Sequence, residues 1–174
     1  MKTKLYIIII FLSMGLNGCI LDSLDKINQN LPMTKEILIS DQPIGTFAGR
    51  LFFDLDSSAT YQDYADDITK LEFTSLSFRT DSLNIPTLEG DFEITFEYGS
   101  YSTVYSKRIK PEDYKTTPLI INLPASEIAK INDYLTRGGR AFIVYYSLKS
   151  VTPDSGTLYL RGYIDAVFNF EAEL

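Results

Sequence analysis

The stretch that most restricts the fold is DFEITFEY, Asp91 to Tyr98. Phe92, Ile94, Phe96 and Tyr98 fall on one side of an extended chain, and Asp91, Glu93, Thr95 and Glu97 fall on the other. Strand side chains alternate with period two, whereas a helix repeats every 3.6 residues. The stretch is therefore a half-buried strand, and its aromatic face needs a second layer to cover it. Gly99-Ser100 follows as a hairpin turn, and Tyr101 to Ile109 is the return strand.

The same reading extends along the chain. Glu36 to Ser40 and Thr46 to Leu55 read as strands separated by a turn at Asp41-Gln42-Pro43. Asp54 to Asp67 is a polar loop rich in Ser and Asp. From Ile68 onward, Leu71 and Phe73 share a face, then Leu76 and Phe78 do; the odd step between the pairs predicts a β-bulge at Thr74-Ser75. Thr80 to Gly90 reads as a loop, and Leu119 to Leu123 as a short strand between Pro118 and Pro124. Ala141 to Leu148 (AFIVYYSL) is apolar on both faces, the mark of a central strand. Thr157 to Glu171 closes the chain as a long strand, with Gly162 where it bends. One helix is predicted, Ala125 to Arg137: Pro124 suits its start, Ile128, Ile131 and Leu135 form its apolar stripe, and Gly138-Gly139 ends it. About eight strands and one short helix near residues 125–137 predict an all-β antiparallel β-sandwich, immunoglobulin-like or a related Greek key, with the helix crossing between sheets. No large ligand cavity is expected.

The N-terminus is of another kind. Lys2 and Lys4 precede an apolar run from Leu5 to Leu16, about 12 residues where a spanning helix needs ~20. That is the build of a secretory signal. Leu16-Asn17-Gly18-Cys19 then resembles the lipobox of bacterial lipoproteins, although Asn17 stands where Ala or Ser is commoner. The resemblance covers residues 1–19 and implies a diacylglyceryl group on the Cys19 sulfur, cleavage just before Cys19, and anchorage to a membrane through acyl chains such as palmitate. Ile20 stands where Asp marks retention at the inner membrane, so the resemblance leans to the cell outer membrane. Residues 1–18 are thus the expected signal peptide, 19–35 (Ile20 to Lys35 lacks strong periodicity) the lipidated N-terminus and tether, and 36–174 the β-sandwich.

Loss of residues 1–18, with two lysines and no acid, leaves 14 Lys+Arg against 23 Asp+Glu, a net charge of −9. An acidic surface argues against nucleic acid and anionic lipid as partners. With its single cysteine lipidated the domain has no disulfide, so its core must come from apolar residues, among them 12 Tyr and 11 Phe.

The chain has no His, which excludes a Ser-His-Asp triad and takes away the commonest general base and zinc ligand. No phosphate-binding glycine motif occurs. Two constellations remain. Asp54, Asp56, Asp63 and Asp66, with Ser57, Ser58 and Asp67, put hard oxygen donors on one loop and would suit structural calcium. The match to an EF-hand fails, since Ala59 and Ala65 occupy the Gly and Glu positions; a plain solvated loop is the alternative. Tyr159, Arg161 and Tyr163 share the solvent face of the last strand, and Tyr145 is expected on a neighbouring strand. Tyr rings beside an Arg would stack on a glycan or anchor a protein; ordinary cross-strand pairing is the competing account. The expected function is that of an envelope lipoprotein, not an enzyme, with a structural or protein-interaction role, a protein partner in the envelope and no required cofactor. A glycan or small-molecule module is the alternative, and a carboxylate-based glycosidase-like enzyme a distant third.

Overall fold

Phe92, Ile94, Phe96 and Tyr98 are all buried while Glu93 is exposed, in the computed structural model, which describes residues 26–151 and 156–173. Eight strands are present: β1 (Lys26–Pro43), β2 (Thr46–Asp54), β3 (Ile68–Leu83), β4 (Gly90–Tyr98), β5 (Tyr101–Ile109), β6 (Leu119–Ile120), β7 (Ala141–Ser150) and β8 (Thr157–Glu173). A single helical turn, α1 (Ala59–Gln62), follows β2, and the helix α2 (Ala125–Thr136) lies between β6 and β7.

The strands form two antiparallel sheets, one in the order β1-β8-β3-β6 and the other β2-β7-β4-β5. Of the two sandwich patterns the sequence leaves open, this order is the related Greek key: a jelly roll, in which two Greek keys are wound together. Alternate residues of both sheets meet in one core. At its centre Phe73 and Phe168 from the first sheet pack on Phe96 and Phe142 from the second, with ring centroids 5.3–5.7 Å apart. Stacked, tilted and edge arrangements such as these add to the burial energy of each ring.

The sheets are unequal. β1, β8 and β3 have 18, 17 and 16 residues; β2, β4, β5 and β7 have nine or ten. At the Lys26 end the inner face of the first sheet therefore outruns the second. The segment between β2 and β3, together with α2, covers the excess: Leu55, Tyr61, Ile131 and Leu135 are buried there, and the Tyr64 ring lies 5.6 Å from Phe170. Helix α2 follows the expected stripe and ends at Gly138, whose φ of 89° is the left-handed conformation a helix-ending glycine adopts.

Several boundaries move. Lys26–Lys35, expected as tether, is the first half of β1, pairing with β8 from Lys26↔Glu173 to Lys35↔Ile164. Pro32, which lacks an amide hydrogen, is tolerated because β1 is an edge strand. Asp41-Gln42-Pro43 is not the turn: the β1–β8 register shifts between Ile39 and Gln42, Asp41 adopts φ 54°, and the chain crosses to the second sheet after Pro43. The predicted bulge is present, a register shift between Phe73 and Ser75. β3 runs on to Leu83, into the expected loop, and of Leu119–Leu123 only the first two residues are strand. Gly162 faces the core, where a Cβ would stand 2.9 Å from the Phe78 ring and 3.0 Å from the Arg79 carbonyl oxygen, so close packing of β3 on β8 requires glycine there.

Candidate functional site

The two outer faces of the sandwich are built differently, and the expected binding residues divide between them. Tyr159, Arg161 and Tyr163 lie on β8 and face outward on the first sheet; Tyr145 lies on β7 and faces outward on the second. The whole core separates them. Sequence alternation gives the direction of a side chain but not which sheet its strand joins, so the expected four-residue group is not formed.

On the first sheet the row is closed within itself. Arg161 Nε donates to Glu36 Oε1 on β1, and the neighbouring carboxylate holds the guanidinium above its usual pKa. The Arg79 guanidinium lies 4.1 Å from the centre of the Tyr163 ring, and that of Arg161 lies 5.7 Å from it. Arg79 also donates to Asp165 at 3.1 Å, and the Asp165 carboxylate accepts from Thr34 at 2.6 Å. Further along, Asn169 donates to Asn28 and Asn30, and Lys70 pairs with Glu72 and Glu171. Cross-strand pairing accounts for these side chains, and it leaves the Arg161 fork and the Tyr163 ring engaged before any ligand arrives.

The second sheet presents the opposite arrangement. Its central strand β7 is apolar on both faces, as the sequence indicates, but only one face is covered. Val144 is wholly buried, while Ile143 and Tyr145 point away from the core. Register places Phe52 beside Ile143 and Arg50 beside Tyr145 on one flank; on the other, Thr95 lies beside Tyr145, with Val104 beyond it. Phe52 is 54% exposed, Val104 57% and Tyr145 37%. Arg50, Phe52 and Ile143 line a shallow depression of about 270 Å³. Charges stand around this centre. Asp91 and Arg108 pair at 2.9 Å, which holds the Asp91 carboxyl below the usual range. Among the described residues no ion pair engages Arg50, Glu93 or Glu97. Sequence reading picked out Tyr145 here and missed Arg50, Phe52, Ile143 and Val104. The signal was available in the two-faced β7, but it was read as burial.

The acidic loop is a structural element. Asp54 accepts from the Asp56 backbone N–H at 3.1 Å, and Ser58 caps α1 by accepting from the Tyr61 N–H. Among the described residues, which include Asp54, Asp56, Asp63 and Asp66, no group of three His, Cys, Asp or Glu side chains is placed to hold a metal ion. The stretch expected as a signal peptide and Cys19 lie outside the described residues, and among those described no helix is long and apolar enough to cross a membrane.

No protein-family model matches this chain, and no curated protein does. Among solved structures it is similar to desmodium yellow mottle tymovirus, at 12% identity and a TM-score of 0.41 over 84% of each chain. It is also similar to the empty head of turnip yellow mosaic virus, at 11% identity and a TM-score of 0.42 over 85% of this chain and 82% of that one. The decameric BFDV capsid protein gives 10% identity and a TM-score of 0.39 over 83% and 98%. Likenesses at this level assign the chain to no family and bear on no function.

Proposed function

We propose that this protein is an outer-membrane lipoprotein without catalytic activity, held by an acylated Cys19, that works by docking a protein on the outer face of its β2-β7-β4-β5 sheet. One observation carries the docking: on the first sheet Lys70, Arg79 and Arg161 are held in cross-strand ion pairs and its exposed Leu38, Tyr159 and Ile120 stand on separate strands, whereas the second gathers Phe52, Ile143, Tyr145 and Val104 on neighbouring strands beside Arg50, Glu93 and Glu97, which form no ion pair among the described residues. Exposed apolar side chains gathered on one face and rimmed by polar groups mark interaction surfaces. The anchor rests on the N-terminal sequence. Between Cys19 and Lys26 there is chain for roughly 25 Å at full extension, which keeps the Lys26 end of the sandwich near the bilayer. The absence of His and the engagement of Arg161 and Tyr163 weigh against the enzyme and glycan readings.

The test uses the full chain expressed in bacteria. Wild type is expected in the membrane fraction, and Cys19→Ala in the soluble fraction with its fold intact; a Cys19→Ala protein that stayed membrane-bound would overturn the anchor. A photo-crosslinking residue at Ile143 is expected to yield a crosslinked protein band, and one at Asn30, on the opposite face, none. No band from either position would overturn the docking.

A further inference from the structure

We infer that the partner on this face is a second copy of the same chain, related to the first by a two-fold axis running along β7. The inference rests on the docking face and anchor proposed above. Three features of the face select this occupant.

The first is charge. The protein is strongly acidic, and a copy would be repelled by most of its surface. Between the Thr46 and Phe52 levels, however, the outward side chains of the second sheet carry three cations, Arg50, Arg108 and Lys149, and three acids, Asp91, Glu93 and Glu97. Over these levels the charges balance, with Asp54 the next outward residue at the end of β2, so two copies can meet there with little like-charge repulsion.

The second is where those charges sit. Arg50 stands one strand to one side of β7, level with Tyr145 and Thr95. Glu93 and Glu97 stand one strand to the other side, each two residues from Thr95, about 7 Å along β4. Rotation about β7 lays β2 of one copy over β4 of the other. Arg50 then comes down between Glu93 and Glu97 of the second copy, and the reciprocal contact forms by symmetry. Ile143 and Tyr145 lie on the axis and meet their own counterparts. Each copy thus uses the same patch, as an isologous interface requires. Four strands of about nine residues make a footprint of roughly 600 Å² before side-chain relief is counted. That approaches the ~800 Å² each partner contributes to a standard interface.

The third is the anchor. An axis parallel to the strands keeps both Lys26 ends on the same side, so both lipids enter one leaflet. An axis across the strands would send the tails in opposite directions. Confinement to one membrane also raises the effective concentration of the copies.

The experiment is disulfide trapping of the full chain in native membranes. Tyr145→Cys, on the axis, is expected to give a species of twice the chain's mass on mild oxidation; wild type and Asn30→Cys are expected to give none. Adding Arg50→Glu is expected to lower the dimer yield about tenfold, and a further Glu97→Arg to restore it. Resistance to protease, measured alongside, establishes that each variant is folded. Equal trapping at positions 145 and 30 would mean random collision and overturn the inference. A Tyr145→Cys adduct with a different protein would overturn the second copy while leaving the docking face standing. Absence of any adduct from folded Tyr145→Cys would overturn the second copy; absence of a photo-crosslink at Ile143 as well would overturn the docking face.

Discussion

Tyr98 shows what a single buried hydroxyl contributes. It lies in the core and donates to Glu127 Oε2 at 3.3 Å, and burial, then the nearby carboxylate, pushes its pKa up to about 12. In an unfolded chain the same proton leaves near 10. Between those values the unfolded state binds fewer protons than the native state, so stability falls as pH rises. Below pH 10 the contribution is fully present. Wild type should lose about 2 kcal/mol more unfolding free energy between pH 10 and 12 than Tyr98→Phe, as measured by urea titration. Equal losses would mean the hydroxyl ionises as freely in the native state as in the unfolded one. The sequence placed Tyr98 on the core face of its strand, because period two says which way a side chain points. It could not supply Glu127, which α2 brings in from 29 residues away. The same gap separates Tyr145 from Arg50 and Phe52, its actual surroundings, which only the pairing of β2 with β7 brings beside it.

At the level of elements, strands with an unbroken alternation were legible and those with interruptions were not. β4, β5 and β8 lie close to where their patterns put them, and the bulge in β3 was readable because Leu71, Phe73, Leu76 and Phe78 cannot share a face without it. The first half of β1 was hidden by Gln29, Pro32 and Lys35, two polar residues at inward-register positions and a proline, which an edge strand accommodates and a central one would not. Helix α2 does more than cover the core. A bulge removes a regular ladder partner from the strand backbone, and here Asn132 Oδ1 accepts the Phe73 N–H at 2.8 Å. A part-buried N–H without that acceptor costs about 1–3 kcal/mol. Asn132→Ala should destabilise the protein by that amount in urea unfolding, and Asn132→Asp, which keeps an acceptor oxygen, should recover most of it. Equal destabilisation by both would place the effect in helix packing instead of the bulge.

For the molecule as a whole, the inequality of the sheets predicts two regions of different cooperativity. In the upper region, where the two sheets overlap, they face each other across the Phe73, Phe96, Phe142 and Phe168 rings, which join β3 and β8 to β4 and β7. Phe168→Ala removes a fully buried ring from the centre and should cost about 3–5 kcal/mol of global stability. In the lower region the long sheet is closed by the loop between β2 and β3, held by Leu55, by the Leu55 N–H to Arg140 carbonyl bond at 2.9 Å, and by the Glu173 N–H to Asp67 carbonyl bond at 3.0 Å. A cover of loop and short helical turns, tied by these and by Tyr61 and Tyr64 but by no strand ladder of its own, opens locally before the sandwich unfolds. Leu55→Ala should therefore speed amide exchange at Leu55, Ile68 to Leu71 and Glu173 well before it does so at Phe96 or Val144. Phe168→Ala should raise exchange across both regions together. Uniform acceleration in Leu55→Ala would make the loop an integral part of one cooperative core. Because the same loop lies at the Lys26 end and begins directly after Asp54, local opening would occur on the side nearest the proposed anchor and would reach the outward row of the proposed docking face only at its Phe52 end.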